Sequence, residues 1–178
     1  MPTVQPILPH IRELSLQQLS DFCSIHSIES YRAKQIYFAL KNIKLSSFEE
    51  ITTISKELRT LLSQSFAFSS VTLNNRQNSI DGTIKALFQL FDLRNIETVV
   101  IPSEIIDETG SPKRRTICVS TQVGCPLNCA FCATASMKLK RNLSKAEILD
   151  QFFSMQTITE EKITNLVFMG MGEPMLNY

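Results

Sequence analysis

Residues 124–134 read GCPLNCAFCAT and place Cys125, Cys129 and Cys132 in one short stretch with the spacing C-x3-C-x2-C. Three thiols this close are suited to holding a metal or a cluster. Structural zinc takes four ligands, usually in paired short spacings. The nearest fourth donor, Cys118, lies inside the strand-like run TICVSTQ, where a packed, weakly polar thiol is an ordinary core residue. A disulfide with one spare thiol would suit an oxidising compartment. A four-iron four-sulfur cluster normally takes four cysteines. Held by three, it leaves one iron open to a small molecule, by the logic that separates open catalytic metal sites from closed structural ones. A second signal is GMGEP at 170–174. Gly124, Gly170 and Gly172 are three of the chain's five glycines, and all sit in these two stretches. Glycine lets backbone come close to a ligand and permits positive φ, and Glu173 offers a carboxylate to an ammonium group. On its own, a Gly-Glu-Pro turn is a common structural feature.

The elements around these loops can be read from pattern. TICVSTQ (116–122) reads as a short buried strand leading into the cysteines, and ITNLVFMG as a second buried strand leading into GMGEP. Between them, Ser144 and Glu147 form a capping box, with Ile148, Leu149, Phe152 and Phe153 as the apolar face of a helix starting near 145. The order strand, cysteine loop, helix, strand, glycine loop is a βαβ unit, with its chemistry at the carboxyl ends of both strands. Upstream, strands are expected near 70–76, 83–91 and 96–101, with turn signals at Asn74-Asn75 and Asp81-Gly82. SEIIDETGSPKRR then reads as a loop. Residues 11 to 66 read as helical: Ser15 and Gln18 form a capping box, Ser55 opens a helix carrying Leu58, Leu61 and Leu62, and Ile36, Ala39, Leu40 and Ile43 share a face. Tyr31 and Tyr37 are expected in the core.

The fold class is therefore α/β: a helical domain at 1–68, a β-rich extension at 69–110, and at 111–178 the start of an incomplete (β/α) partial barrel. One helix and two parallel strands cannot close a barrel, so the chain reads as the N-terminal piece of a longer protein. The apolar fraction of 43% supports a packed core, and the net charge of +1 gives no global attraction to nucleic acid, so an RNA surface would have to be a local patch. No apolar run approaches the roughly 18 residues of a membrane span. MPTVQPILPHIREL carries prolines where a secretory signal needs a continuous apolar segment. With the clustered thiols, this points to a cytoplasmic protein.

The cysteine spacing, following a strand and preceding a capped helix, with Phe131 directly before the last cysteine, resembles the signature of radical S-adenosylmethionine (SAM) enzymes. RRTICVSTQVGCPLNCAFCAT, LKRNLSKAEILDQ and LVFMGMGEPMLNY closely resemble the dual-specificity RNA methyltransferase family RlmN. YRAKQIY, SFEEITTISKELR, DGTIKALFQL and IETVVIP resemble that family's N-terminal segments. The resemblance implies methylation of carbon 2 of an adenosine in large-subunit rRNA and in tRNA. It also implies a [4Fe-4S] cluster, SAM and a 5′-deoxyadenosyl radical, with a methyl-carrying cysteine beyond Tyr178 and an electron donor such as a flavodoxin or ferredoxin. Carried over by position, Cys125, Cys129 and Cys132 would ligate the cluster, and Gly172 and Glu173 would contact SAM. Cys118 would resolve the protein–RNA adduct, and Glu97 would accept a proton. Without the resemblance, Cys118 reads as core and Glu97 as a strand-end carboxylate paired with Arg94 or Arg115. Lys138, Lys140 and Arg141, and Lys113, Arg114 and Arg115, flank the site and could contact phosphates, as could Arg32, Lys34, Lys41 and Lys44. The 178-residue chain alone is expected not to complete the reaction. Two rival readings are a Cfr-like methyltransferase acting at carbon 8, against which Pro174 leans, and a zinc-stabilised RNA-binding module without catalysis.

Overall fold

The computed structural model describes residues 8–42, 45–159 and 161–178. Ile43, Lys44 and the first seven residues, on which part of the sequence reading fell, lie outside the described residues. The chain divides into two compact units, Met1–Ser70 and Val71–Tyr178.

The first unit is built from α1 (Leu16–Ile25), α2 (Tyr31–Ala39) and α3 (Lys56–Ser65). Ser15 and Gln18 close the capping box of α1 reciprocally: Gln18 N donates to Ser15 Oγ at 3.2 Å, and Ser15 N donates to Gln18 Oε1 at 2.8 Å. Ser55 Oγ caps α3 by accepting from Leu58 N at 3.3 Å. Ile11, Leu19, Ile36 and Leu62 are fully buried and join Ala33, Leu40 and Leu58 in one core. Because α2 turns Ala33 and Ile36 inward, Tyr31 and Phe38 face solvent. Tyr31 is thus a surface residue rather than the expected core residue, whereas Tyr37 packs half-buried against the cluster.

The second unit carries a five-stranded sheet ordered β1-β2-β3-β4-β7, formed by β1 (Val71–Asn78), β2 (Ile84–Leu90), β3 (Asn95–Pro102), β4 (Arg115–Cys118) and β7 (Asn165–Val167). A separate small sheet pairs β5 (Gln122–Val123) with β6 (Arg141–Asn142). The pairs from β1 to β4 are antiparallel, while β4 and β7 run parallel, with α4 (Lys145–Thr159) between them in sequence. Asp81-Gly82 makes the turn between β1 and β2, where Asp81 accepts from both the amide and the hydroxyl of Thr83. Asn74-Asn75 is not a turn; it marks a register shift inside β1.

Two strand expectations change. The run 116–122 does not form one strand: β4 ends at Cys118, and Gln122 pairs instead with Asn142 in the small sheet. β7 is short and exposed at Leu166, not a long buried strand. Ser144 caps α4 as expected, but its buried residues are Ala146, Glu147, Asp150, Gln151, Met155 and Gln156. The expected apolar face of Ile148, Leu149, Phe152 and Phe153 is only half-buried. Polar groups take the inner face because β3 and the segment that follows β4 supply partners for them: Thr98 Oγ1 and Ser120 N both donate to Gln151 Oε1, at 2.8 and 2.7 Å.

Alternation along the strands divides the sheet's residues between two faces. Ala86, Phe88, Ile96, Val100 and Ile117 line the buried face with Thr98, and burying each of the larger apolar side chains contributes about 2 kcal/mol. Glu97, Val99 and Cys118 fall on the other face, with Val99 directly opposite Cys118 and Lys85 directly opposite Val99.

Candidate cofactor site

Beyond Cys118 the chain leaves the sheet but stays bonded to the segment that follows β7. Val119 N donates to Val167 O at 3.0 Å, Gly170 N to Val119 O at 3.1 Å, and Thr121 N to Met171 O at 2.9 Å. This side-by-side course explains the glycines. A Cβ at Gly170 would stand 2.7 Å from Ser120 N, and one at Gly172, where φ is +99°, would stand 2.6 Å from Gln122 Cβ. Their bare faces therefore admit the neighbouring chain, a reason for glycine that the sequence did not disclose.

The cysteine stretch begins directly after β5 and returns at β6, so the pairs Gln122↔Asn142 and Val123↔Arg141 form its neck, reinforced by Lys140 N donating to Val123 O at 2.8 Å. Gly124 sits at the first bend with φ +78°, and any Cβ there would overlap the Lys138 carbonyl. Cys125 and Cys129 are half-buried and Cys132 is exposed; all are free thiols. The backbone amides of Thr134 and Ala135, followed by the Thr134 hydroxyl, pull the Cys132 thiol below its ordinary range. Among the described residues, no three His, Cys, Asp or Glu side chains are gathered closely enough to hold a metal ion. The donor set nevertheless fits an iron–sulfur centre in kind: free thiols in irregular backbone, one of them biased toward the thiolate that ligates.

Glu173 is held at both ends. Its amide donates to Gln122 Oε1 at 2.9 Å, and its own Oε1 accepts from Met175 N at 3.0 Å, capping the turn Pro174–Leu176. Cys118 is half-buried, and burial pushes its thiol up. Glu97 is exposed and pairs with Lys85 at 3.1 Å, not with the expected Arg94 or Arg115. Arg94 pairs with Asp92 and Arg115 with Glu161. The structure thus brings Glu97 and Cys118 to one sheet face, and brings the glycine loop alongside the approach to the cysteine loop.

Buried polar residues near these loops escaped the sequence reading. Gln151 accepts from Thr98 and Ser120 and donates to Ser120 O at 2.9 Å, while Ser120 Oγ donates to the Glu97 carbonyl at 2.6 Å. Arg141, expected at a phosphate, is instead engaged by carboxylates: its guanidinium meets Glu147 at 2.7 and 2.8 Å and Asp92 at 2.8 Å. The Glu147 hydrogen bond, opposed by burial and aided by Asp92, holds its proton more firmly than usual. In the first unit, Arg32 lies over the Tyr31 ring, and Lys41 over the rings of Tyr37 and Phe38.

Residues 10–67 match the family model for the ribosomal RNA large subunit methyltransferase N-terminal domain. Over 172 residues the chain is 44% identical to a probable dual-specificity RNA methyltransferase RlmN of Cytophaga hutchinsonii, covering 94% of this chain and 45% of that protein. It is 44% identical over 170 residues to the dual-specificity RNA methyltransferase RlmN of Desulfosudis oleivorans, covering 94% and 44%. The crystal structure of a radical SAM methyltransferase from Sphaerobacter thermophilus superposes with a TM-score of 0.83 at 34% identity, covering 96% of this chain and 49% of that one. The chain spans about half the length of the curated relatives it matches.

Proposed function

We propose that the chain is a member of the RlmN family of RNA methyltransferases, as its matches support, and that it carries the cofactor-holding part of an enzyme that methylates carbon 2 of adenosine in large-subunit rRNA and in tRNA. One observation carries the reading: the cysteine loop and the GMGEP loop lie beyond the carboxyl ends of two parallel strands, with the segments leading to them bonded side by side. Parallel α/β sheets bind ligands at that edge.

In this reading Cys125, Cys129 and Cys132 hold a [4Fe-4S] cluster, and Gly172 and Glu173 hold SAM. When bound, the pair supplies a 5′-deoxyadenosyl radical, a chemistry suited to the weakly nucleophilic carbon 2 of adenine. The chain's own residues orient the reactants and accept a proton. Cys118 serves as the resolving thiol and Glu97 as a proton acceptor, supported by their common sheet face. Burial keeps the Cys118 thiol protonated, so it needs a base when it acts. RNA phosphates have Lys138 and Lys140 within reach of the site, with Lys113 and Arg114 as further candidates. A flavodoxin or ferredoxin would reduce the cluster. A cytoplasmic setting accords with free cysteines, and among the described residues no helix is long and apolar enough to cross a membrane.

The test is anaerobic reconstitution with iron and sulfide, followed by metal analysis and mapping of the methylated base. About four irons and four sulfides per chain are expected. Stoichiometric zinc without iron would overturn the reading in favour of an RNA-binding module. With protein expressed from its complete reading frame, mass spectrometry should locate the methyl group on carbon 2; finding it on carbon 8 would assign the Cfr-like activity instead.

A further inference from the structure

Gln122 has no exposed surface, yet its side chain carries an amide that must be bonded at both ends to be tolerated there. Its Nε2 donates to Asn142 Oδ1 at 2.9 Å, and its Oε1 accepts from Glu173 N at 2.9 Å. The first partner stands where the cysteine loop returns, and the second stands inside the glycine loop. Gln122 itself is the last residue but one before Gly124, so it belongs to the neck of one loop while its side chain anchors the other. Gly172 makes the arrangement possible, since a Cβ there would occupy the space of the Gln122 side chain.

Around this centre a second tie repeats the pattern. Asn177 Nδ2 donates to Thr121 O at 2.8 Å and to Leu143 O at 3.0 Å, and Asn142 Nδ2 donates to Leu176 O at 3.4 Å. A leucine of similar size would fill the same volume with no desolvation penalty. The glutamine therefore adds geometry rather than burial.

We infer that Gln122 is a positioning residue that holds the cysteine loop and the Glu173 turn at one fixed separation, so that a ligand contacting both meets them in register. The inference rests on the proposed function, because it takes the two loops to share one cofactor. Gln122 touches no ligand in this role; it acts through Glu173 and Asn142.

The experiment compares wild-type protein, expressed from its complete reading frame and reconstituted anaerobically, with Gln122→Leu and Gln122→Glu. The readouts are iron and sulfide per chain, Tm, the Kd for SAM, and the change that SAM causes in the electron paramagnetic resonance spectrum of the reduced protein. Gln122→Leu should load iron normally but bind SAM about tenfold more weakly, the worth of one well-made hydrogen bond, with a diminished spectral change. Gln122→Glu keeps the acceptor for Glu173 N and loses the donor to Asn142, so its SAM affinity should fall between the two. Unchanged affinity and spectrum in Gln122→Leu would overturn the inference. So would equal loss of iron, Tm and affinity in both variants, which would mark Gln122 as a folding residue only. Failure of the wild type itself to take up iron would overturn the reading of the site, and this inference with it.

Discussion

Replacing Gln151 with leucine should expose how much of the second unit rests on one buried amide. Gln151 is fully buried, as are Thr98 and Ser120. Leucine at this position removes the acceptor for Thr98 Oγ1 and Ser120 N and the donor to Ser120 O and Glu147 O, bonds of 2.8, 2.7, 2.9 and 3.1 Å. The Glu147 carbonyl belongs to a helix and stays close to other donors, so three groups are stranded in earnest. Each buried group left unsatisfied costs about 1–3 kcal/mol, and the sum, reduced for partial relaxation, is about 4 kcal/mol. Domains are stable by about 5–15 kcal/mol, so the variant should still fold but melt early. Thr98→Val alone should cost about 1 kcal/mol, because Gln151 keeps Ser120 N as a donor. The double variant no longer strands the threonine hydroxyl and should cost about 3 kcal/mol, about 2 kcal/mol less than the two singles summed. Urea unfolding followed by far-UV circular dichroism gives all three values. A cost below about 1 kcal/mol for Gln151→Leu, or additivity within about 0.3 kcal/mol, would refute the reasoning.

Other outcomes follow from particular contacts. Gly124→Ala should prevent closure of the cysteine loop and cut iron retention after reconstitution, whereas Gly110→Ala, with φ +80° but open space around it, should cost only about 1–2 kcal/mol in a denaturant titration and leave iron uptake intact. Arg141→Met leaves Glu147 buried without its cation and should destabilise the chain by about 3 kcal/mol, read as a drop in the urea midpoint. In the metal-free chain, alkylation by iodoacetamide should be slow at Cys118 near neutral pH. Burial raises this thiol, so the reactive thiolate is scarcer at a given pH, and the rate should climb only at more alkaline pH than for an exposed cysteine. Mass spectrometry of the resulting peptides separates Cys118 from exposed Cys132, and equal rates at neutral pH would contradict that ordering.

What could be read in the sequence was local. The capping boxes at Ser15 and Ser144 involve residues three apart, and the Cys125, Cys129, Cys132 spacing is visible without a fold. What could not be read depends on partners far along the chain. The inner face of α4 is polar because Thr98 and Ser120, 53 and 31 residues away from Gln151, supply its hydrogen bonds; hydrophobic periodicity therefore selected the half-buried residues instead. TICVSTQ is a uniform strand-like run, yet after Cys118 its backbone bonds pass to residues 167–171 and its pairing to β6, and no propensity encodes that exchange. The Asn74-Asn75 pair has turn chemistry but was absorbed as a bulge. Lys85 is the partner of Glu97 because of antiparallel register, which places Lys85 across from Val99. Tyr31 reaches the surface because Ala33 and Ile36 already supply the inward face of α2.

The neck of the cysteine loop has a consequence for chelation. Bringing the two ends of a flexible segment together carries an entropic cost that grows with its length, as roughly (3/2)RT ln n. Here β5·β6 pairing and the Lys140–Val123 bond meet that cost when the protein folds, before any metal arrives. Cys125 and Cys132 then sit on a tethered ring, and their effective concentration toward one another is set by the neck. A perturbation that frays the backbone pairing of β5 with β6 would therefore weaken metal retention without touching a thiol. Its signature would be faster metal loss to a chelator, with the rate of metal capture little changed.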